Sequence, residues 1–323
     1  MASIDERLRD MPALGREIAE EGWAYLDGAF IPFADAKVSI ATHALQYGTG
    51  VFEGIRAYWN AGEQRLYVFR LREHFERMAR SCRILRIRLP ASVDELCELA
   101  VELLRRQRFQ ADVYVRPLAF KAARSVMVTL SGLRDGFAMY AFPLGDYLPI
   151  DGLSAKTSSW QRIADQAIPA RGKLSGSYIN TALAVDEAHD QGADEAIFLT
   201  ANGHVSEGGG SNLFIVREGE LVTPPVTDDI LEGITRATVM TLAHQELGWR
   251  VVERPIDRTE LYVADEVFFC GTGAQVAPCV RIDGRPVGDG RIGEVSRALA
   301  DLYFAIARGD DPRHPEWRTA VHG

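Results

Sequence analysis

The sequence predicts a mixed α/β (α+β) chain built as two units. Three observations lead there. The length of 323 residues exceeds the usual size of a single hydrophobic core. Short alternating strand patterns are interleaved with amphipathic helical runs, and one aperiodic stretch near the middle gathers glycine, proline and aspartate. A hydrophobic content of 47% with 25% charged residues is that of a globular chain rather than a disordered or fibrous one.

The first strands are announced by WAYLDGAFI, residues 23–31, where Asp27-Gly28 between apolar runs is a hairpin signal. A further extended run, YVFRL, leads into a charged stretch from Arg72 to Arg83. There Phe75, Met78, Ala79 and Cys82 recur at helical spacing, with Arg77 and Arg80 assigned to the polar face. Ser92-Val-Asp-Glu95 is a capping box and predicts a second helix, whose Leu96, Ala100, Leu103 and Leu104 share one side. DVYVRPLAF, residues 112–120, alternates as a strand, so Tyr114 and Arg116 share one face and Val113 and Val115 the other. After the strand FAMYAFPL comes GDYLPIDG, the expected boundary: residues 1–144 as a small N-terminal unit, 145–152 as linker, 153–323 as a larger C-terminal unit.

The second half opens with a strand containing SSW, passes through an irregular stretch to Lys173, and becomes helical from Tyr178 to His189. DEAIFLT, HVSEGGGSNLFIV and ELVTP read as a strand meander turning at Asn202-Gly203, and residues 235–247 as a helix stopped by Gly248. No internal repeat is visible.

A net charge of −9 argues against a broad nucleic-acid interface, which needs a concentrated basic face. Cys82, Cys97, Cys270 and Cys279 have neither Cys-x-x-Cys spacing nor disulfide-scaffold density, and the N-terminus lacks the order of a signal peptide, so a reducing cytoplasm fits. No apolar run approaches the roughly 20 residues that span a bilayer, so no membrane partner is expected. His43 has no second histidine or cysteine at metal-ligand spacing; it reads as a hydrogen-bonded structural residue, and no metal site is expected.

Lysine is scarce, only Lys37, Lys121, Lys156 and Lys173 standing against many arginines. An amine forms a Schiff base with a carbonyl cofactor where a guanidinium does not, and pyridoxal phosphate is the commonest such partner. Lys173 lies among Gly172, Ser175 and Gly176, small residues that let a flat ring approach the backbone. In SEGGGSNLF, residues 206–214, Glu207 precedes three glycines; alone this is either a sharp bend between strands or a close approach to a flat ligand, with Glu207 able to pair with a protonated ring nitrogen. Gly233-Ile234-Thr235 at a helix start and Gly271-Thr272-Gly273-Ala274 after a strand can each offer backbone N–H groups to a phosphate, or serve simply as a cap and a turn. Cys270 has no base beside it and reads as a small buried hydrophobe.

Taken in order, these segments resemble the branched-chain aminotransferase family of pyridoxal-phosphate enzymes, the fold type IV group, over nearly the whole chain. HALQYGTGVFEGIR (43–56), FRLREHFERM (69–78), YVRPL (114–118), the Lys173–Tyr178 stretch, HVSEGGGSNLF (204–214), LEGITR (231–236), LYVADEVFFCGT (261–272) and DGRPVGDG (283–290) carry the resemblance. It implies a small N-terminal α/β domain, a larger C-terminal domain with a pseudo-barrel of strands, and the cofactor in the cleft between them. Lys173 then carries the cofactor and moves the proton, Glu207 holds the pyridine nitrogen protonated and Tyr178 bonds the phenolic oxygen. Arg77, Gly233, Ile234, Thr235 and Thr272 form the phosphate cup.

The Tyr114-Val115-Arg116 pattern is similar to that of family members acting on L-branched-chain amino acids and glutamate. By resemblance, Tyr114, Tyr47 and the backbone of Thr272 and Gly273 take the α-carboxylate, Arg116 takes the distal carboxylate of glutamate, and Phe52, Tyr147 and Tyr178 line an aliphatic slot. The reaction implied is ping-pong amino transfer between leucine, isoleucine or valine and 2-oxoglutarate, in a homodimer or higher assembly. Two departures stand out: KAARSVMVTLSG (121–132) replaces the family's glycine-rich turn, and Ser211 stands where glutamate is usual. Val126 is the residue of that loop expected to reach the partner subunit's pocket, and Arg124 and Arg134 nearby bear on acceptor range. D-amino-acid or (R)-amine transfer, and aminodeoxychorismate lyase chemistry, are the alternatives on the same scaffold; a cofactor carrier without activity is disfavoured by the joint presence of Lys173 and Glu207.

Overall fold

A computed structural model describes residues 18, 21–145, 148–149 and 151–321. The Asp27-Gly28 turn closes β1 (Trp23–Leu26) onto β2 (Ala29–Pro32), both turn residues adopting positive φ, 43° and 103°, as a two-residue hairpin requires. A short helix α1 (His43–Tyr47) ends on Gly48 in the left-handed region. Strands β3 (Gly50–Phe52), β4 (Ile55–Asn60) and β5 (Arg65–Phe69) follow, then helices α2 (Leu71–Ile84) and α3 (Val93–Gln107), then β6 (Val113–Lys121) and β7 (Asp135–Pro143). At the start of α3 the capping box is formed: Glu95 N–H donates to Ser92 Oγ at 3.4 Å and Ser92 N–H donates to Glu95 Oε2 at 2.7 Å. Phe75 and Met78 of α2 and Leu96 and Leu103 of α3 pack with Val51, Ile55 and Val115 of the sheet into one core.

Helix α2 departs from its sequence pattern at one residue. Arg77 is not on the solvated face; it is 4% exposed beside Phe75 and Met78, while Arg80 faces solvent. Its Nε and Nη2 donate to the Glu53 carboxylate at 2.8 and 2.7 Å, and His74 Nδ1 meets the same carboxylate at 2.8 Å. Periodicity sends charge to water, but a buried bidentate partner reverses that assignment.

The second half contains β8 (Leu153–Gln161), α4 (Tyr178–Asp190), β9 (Glu195–Leu199), β10 (Val205–Gly208), β11 (Asn212–Arg217) and β12 (Glu220–Thr223). Helix α5 (Ile234–Thr241) follows, widening into a π turn over Leu242–Glu246 within the predicted 235–247 helix. Then come β13 (Arg250–Glu253), β14 (Glu266–Gly271), β15 (Gln275–Ile282), β16 (Arg285–Pro286) and α6 (Glu294–Arg308). These strands form one sheet in the order β10-β9-β8-β15-β14-β11-β12-β13, with β16 on β15. The sheet curls until its edges meet: Val205 N–H donates to Ile256 O at 2.8 Å and His204 bridges to Asp257, joining the β10 edge to the segment that follows β13. The result is a pseudo-barrel, which hides edges that would otherwise template foreign strands.

The chain's end returns to the first sheet. β17 (Arg318–Ala320) pairs antiparallel with β5, and Arg70 N–H donates to Trp317 O at 2.7 Å, giving the order β17-β5-β4-β6-β7-β1-β2 with β3 on β6. A three-residue strand carries no readable period, so the sequence leaves it with the second half. We propose that the boundary between the units falls at 145–152, between β7 and β8, with β17 assigned to the first unit.

Candidate active site

A cavity of about 480 Å³ lies between the two sheets, lined by Phe52, Tyr114 and Arg116 from the first and Glu207, Gly210 and Thr272 from the second. Lys173 enters it from a segment clamped on both sides. Its N–H donates to Ser81 Oγ of α2 at 3.2 Å, and its carbonyl accepts from Phe52 N–H of β3 at 3.2 Å. With the backbone fixed, Nζ donates to Tyr178 Oη at 2.7 Å. The Phe52 ring packs on Tyr178 with centroids 4.7 Å apart, and Nζ lies 5.0 Å from the Phe52 centroid. The segment after Lys173 touches the end of α1: Gly176 N–H donates to Gly48 O at 3.1 Å, and a Cβ on Gly48 would lie 2.7 Å from Gly176 Cα. Glycine at position 48 is therefore a packing requirement, and at 176 the fit to Gly48 O, 3.3 Å from a Cβ, is tight.

Glu207, at the end of β10, is 5% exposed. One carboxylate oxygen pairs with Arg162 Nη2 at 2.5 Å; the other accepts from Asn212 Nδ2 and from Leu231 N–H, each at 3.0 Å. Burial raises this carboxyl above its ordinary value, and the Arg162 guanidinium opposes the rise. The glycine run is thus both of its readings at once: a bend linking β10 to β11, and a wall of the cavity.

Helix α5 begins at Gly233 with no side chain capping it, so its first N–H groups face the cavity wall formed by Gly233, Ile234 and Thr235. Arg77 reaches the same region, its Nη1 donating to Glu232 O at 3.1 Å. Burial would raise the Glu53 carboxyl that holds Arg77, but the Arg77 guanidinium and His74 together keep it well below the usual carboxylate range. A permanent cation and an open helix N-terminus line the same cavity, with Thr272 also on its wall, the usual ingredients of an anion site.

Tyr114 and Arg116 do share the cavity face of β6, with Arg116 Nη2 donating to Tyr114 Oη at 3.2 Å and the guanidinium lying 4.5 Å from the Phe52 centroid. Among the described residues Arg116 Nε has no partner. Neither Tyr47 nor Val126 lines this chain's cavity; Val126 is the residue expected at the partner subunit's pocket, and Tyr47 lies beside it rather than beside Tyr114. Tyr47 Oη instead donates to Val126 O at 3.0 Å, on a face where Val126 is 73% exposed. Tyr147 lies outside the described residues. His43 is buried, its two ring nitrogens bonded to Thr49 Oγ1 at 2.7 Å and to Met127 O at 3.0 Å. All four cysteines are free, and burial pushes the Cys270 thiol up to about 12.

Sequence reasoning did not single out Glu53, Arg56, Arg162, Glu195 or Asn212. Glu53 and Arg56 sit in the quoted 43–56 segment, and that cluster of unusual residues was the one available signal. A buried charge is recognisable only once its partner, distant in sequence, is known.

This arrangement is that of a class IV aminotransferase: the family model for amino-transferase class IV matches residues 50–282, and solved structures of the same fold type superpose on the chain. The chain belongs to the branched-chain-amino-acid aminotransferase family. It is 44% identical over 301 residues to the probable branched-chain-amino-acid aminotransferase of Aquifex aeolicus, covering 93% of this chain and 97% of that protein. The branched-chain aminotransferase of Thermoproteus uzoniensis, solved with norvaline, is 42% identical with a TM-score of 0.90, covering 93% of this chain and 99% of the other. The branched-chain amino acid aminotransferase of Thermobaculum terrenum, solved in its PLP-form, is 38% identical with a TM-score of 0.90, covering 94% of this chain and 100% of the other.

Proposed function

We propose that the chain is a pyridoxal-phosphate-dependent aminotransferase exchanging amino groups between L-leucine, L-isoleucine or L-valine and 2-oxoglutarate. The observation that carries this reading is the Lys173 amine, hydrogen-bonded to Tyr178 in a cavity that also holds buried Glu207 and Arg77. These residues fit the cofactor's chemistry: an amine for its carbonyl, a carboxylate for its ring nitrogen, a phenol for its hydroxyl, and the uncapped α5 start with Arg77 and Thr272 for its phosphate. When bound, pyridoxal phosphate supplies a carbonyl that condenses with amines and a ring that accepts electrons.

The protein's residues do the rest. Lys173 Nζ, oriented by Tyr178 Oη, would carry the proton between the substrate's α-carbon and the cofactor's carbonyl carbon within each half-reaction, in one direction for the donor and in the reverse for the acceptor. Glu207, its lone pairs held by Arg162, Asn212 and Leu231, presents negative charge where a protonated ring nitrogen is retained. Phe52 and Tyr178 offer apolar surface to an aliphatic side chain. Arg116, whose Nε lacks a partner among the described residues, is available to the distal carboxylate of glutamate. Tyr114 and the Thr272-Gly273 backbone, all on the cavity wall, take the α-carboxylate in this reading, with Tyr147 assigned to the aliphatic slot by resemblance alone.

A homodimer is part of this proposal. Ile40 (88% exposed), Val126 (73%) and Val128 (82%) are large apolar side chains in water, on two segments joined at the Thr42–Arg124 bridge, and a partner subunit would cover them. Tyr47 and Val126 then serve the partner's cavity. The free cysteines accord with a cytoplasmic location; no helix of the described residues is long and apolar enough to cross a membrane.

The test is an amino-transfer assay with added pyridoxal phosphate, offering L-leucine, L-isoleucine, L-valine, D-alanine and (R)-1-phenylethylamine to 2-oxoglutarate and pyruvate. L-leucine with 2-oxoglutarate is expected to turn over, and Lys173→Ala to lower the rate at least about 10²–10⁴-fold. Turnover of D-alanine or the amine alone would transfer the chain to the alternative class and remove the role given to Arg116.

A further inference from the structure

The wall of the cavity begins, in chain order, at a residue to which the chemistry above gives no task. Ile18 lines it, and among the described residues every other lining residue comes from Phe52 onward. In REIAEEG, residues 16–22, Ile18 is the one large apolar side chain. At 38% exposed it has part of its surface in water and part against the cavity.

The end of the cavity it belongs to follows from the sheet register. β1 runs antiparallel to β7, with Tyr25 opposite Met139 and Leu26 opposite Ala138. Carried back, the same register sets Ala24 beside Tyr140 and Gly22 beside Phe142. Opposed residues of an antiparallel pair share a face, and Tyr140 and Phe142 are themselves opposite Arg116 and Tyr114 of β6. The line of β1 therefore points along the face that carries Tyr114 and Arg116. Gly22, with φ of 76°, turns the chain off that line. Four residues further back Ile18 shares the cavity wall with Phe142, whose ring centroid is 5.6 Å from that of Tyr114. An aliphatic side chain there offers a bound carboxylate nothing, but it strengthens the hold on a bound hydrocarbon about fourfold for each methylene taken from water.

We propose that Ile18 is a specificity-determining residue, meeting the aliphatic end of the donor amino acid at the mouth of the cavity and keeping water from it. The proposal rests on the transamination reading given above. Ile18 then divides the two halves of the cycle: leucine, isoleucine and valine draw on its apolar surface, whereas the distal carboxylate of 2-oxoglutarate draws on Arg116.

The experiment measures kcat/KM of the holoenzyme for L-2-aminobutyrate, L-norvaline, L-norleucine and L-leucine, and for 2-oxoglutarate, in the wild type, Ile18→Ser and Ile18→Leu, with the melting temperature of each. Ile18→Ser is expected to lower the value about 3–10-fold for L-norleucine and L-leucine and less than about 2-fold for L-2-aminobutyrate and 2-oxoglutarate, so that the gain per methylene flattens. Ile18→Leu, which keeps the apolar volume, is expected to restore most of that gain. A uniform fall across donors and acceptor would make Ile18 a structural residue alone, and unchanged values throughout would place it outside the site. Either result overturns the proposal, while wild-type turnover of L-leucine leaves the enzyme reading standing. A wild type that does not turn over L-leucine removes that reading, and the proposal with it.

Discussion

Glu195 lies at the base of the glycine bend and is 4% exposed, with no cation within ion-pair distance among the described residues. Its Oε1 accepts from Ala196 N–H at 2.9 Å and from Gly209 N–H at 3.1 Å, and its Oε2 from Ser211 Oγ at 3.2 Å. Burial raises this carboxyl, and the hydrogen bonds only oppose the rise. A value raised in the folded protein means that its contribution to stability is complete below the ordinary value of 4.5 and is lost as pH climbs through the raised one. Glu195→Gln keeps an acceptor for both N–H groups and can donate to Ser211, while removing the titration. Its melting temperature is expected to gain on the wild type as pH rises above the ordinary carboxylate range, where the wild-type carboxyl must ionise without a counter-charge. Parallel melting curves across that range, measured calorimetrically, would reject the account. Ser211 takes on a defined task here: its hydroxyl donates to the buried Glu195 carboxyl.

What the sequence made legible at this scale follows from chemistry rather than position. Lys173 stood out because amines are scarce in this chain and only an amine performs the reaction. Glu53, Arg56 and Arg162 did not, since a charged residue in a strand or helix reads as a solvated one until its partner is located. Arg77 was assigned its cofactor role by resemblance yet placed on the wrong face by periodicity, and Glu53 is the reason.

Among elements, the junction of α1 with the segment carrying Lys173 is a close backbone-to-backbone contact. Gly48 has φ of 65° and its backbone abuts Gly176. Gly48→Ala both strains that φ and pushes on Gly176, at a cost of about 1–3 kcal/mol. Because Lys173 Nζ is aimed by this segment, amino-transfer rate is expected to fall on the order of 10–10²-fold, measured against melting temperature in the same preparation. An unaltered rate in a folded variant would show the junction to be permissive. By contrast Ser92→Ala, at the exposed start of α3, removes a cap remote from the cavity; a loss of about 1 kcal/mol by urea unfolding with no change in turnover is expected. That capping box was legible because both partners are three residues apart. The meeting of β10 with the segment after β13 was not, because curling is a property of the whole sheet and no local window contains it.

At the scale of the molecule, the apolar loop 126–128 is pinned outward, by Tyr47 on Val126 and by His43 on Met127. Val128→Glu places a charge on this face without touching the chain's own cavity. Sedimentation is expected to show a shift from dimer to monomer, and activity to fall with it as the protein is diluted. A monomeric wild type, or a variant with unchanged sedimentation, would remove the dimer from the proposal.

The return of β17 to the edge of β5 gives the chain an order of assembly. The strands that hold Phe52, Arg56, Tyr114 and Arg116 are made early, yet the neighbour that completes their sheet is made only after the whole second sheet. On the ribosome, β5 must wait with one edge open until that sheet has been synthesised. A truncated product therefore lacks more than its tail: it exposes a pairing edge on the half already made, so that incomplete chains are marked for clearance or aggregation before they can bind a substrate.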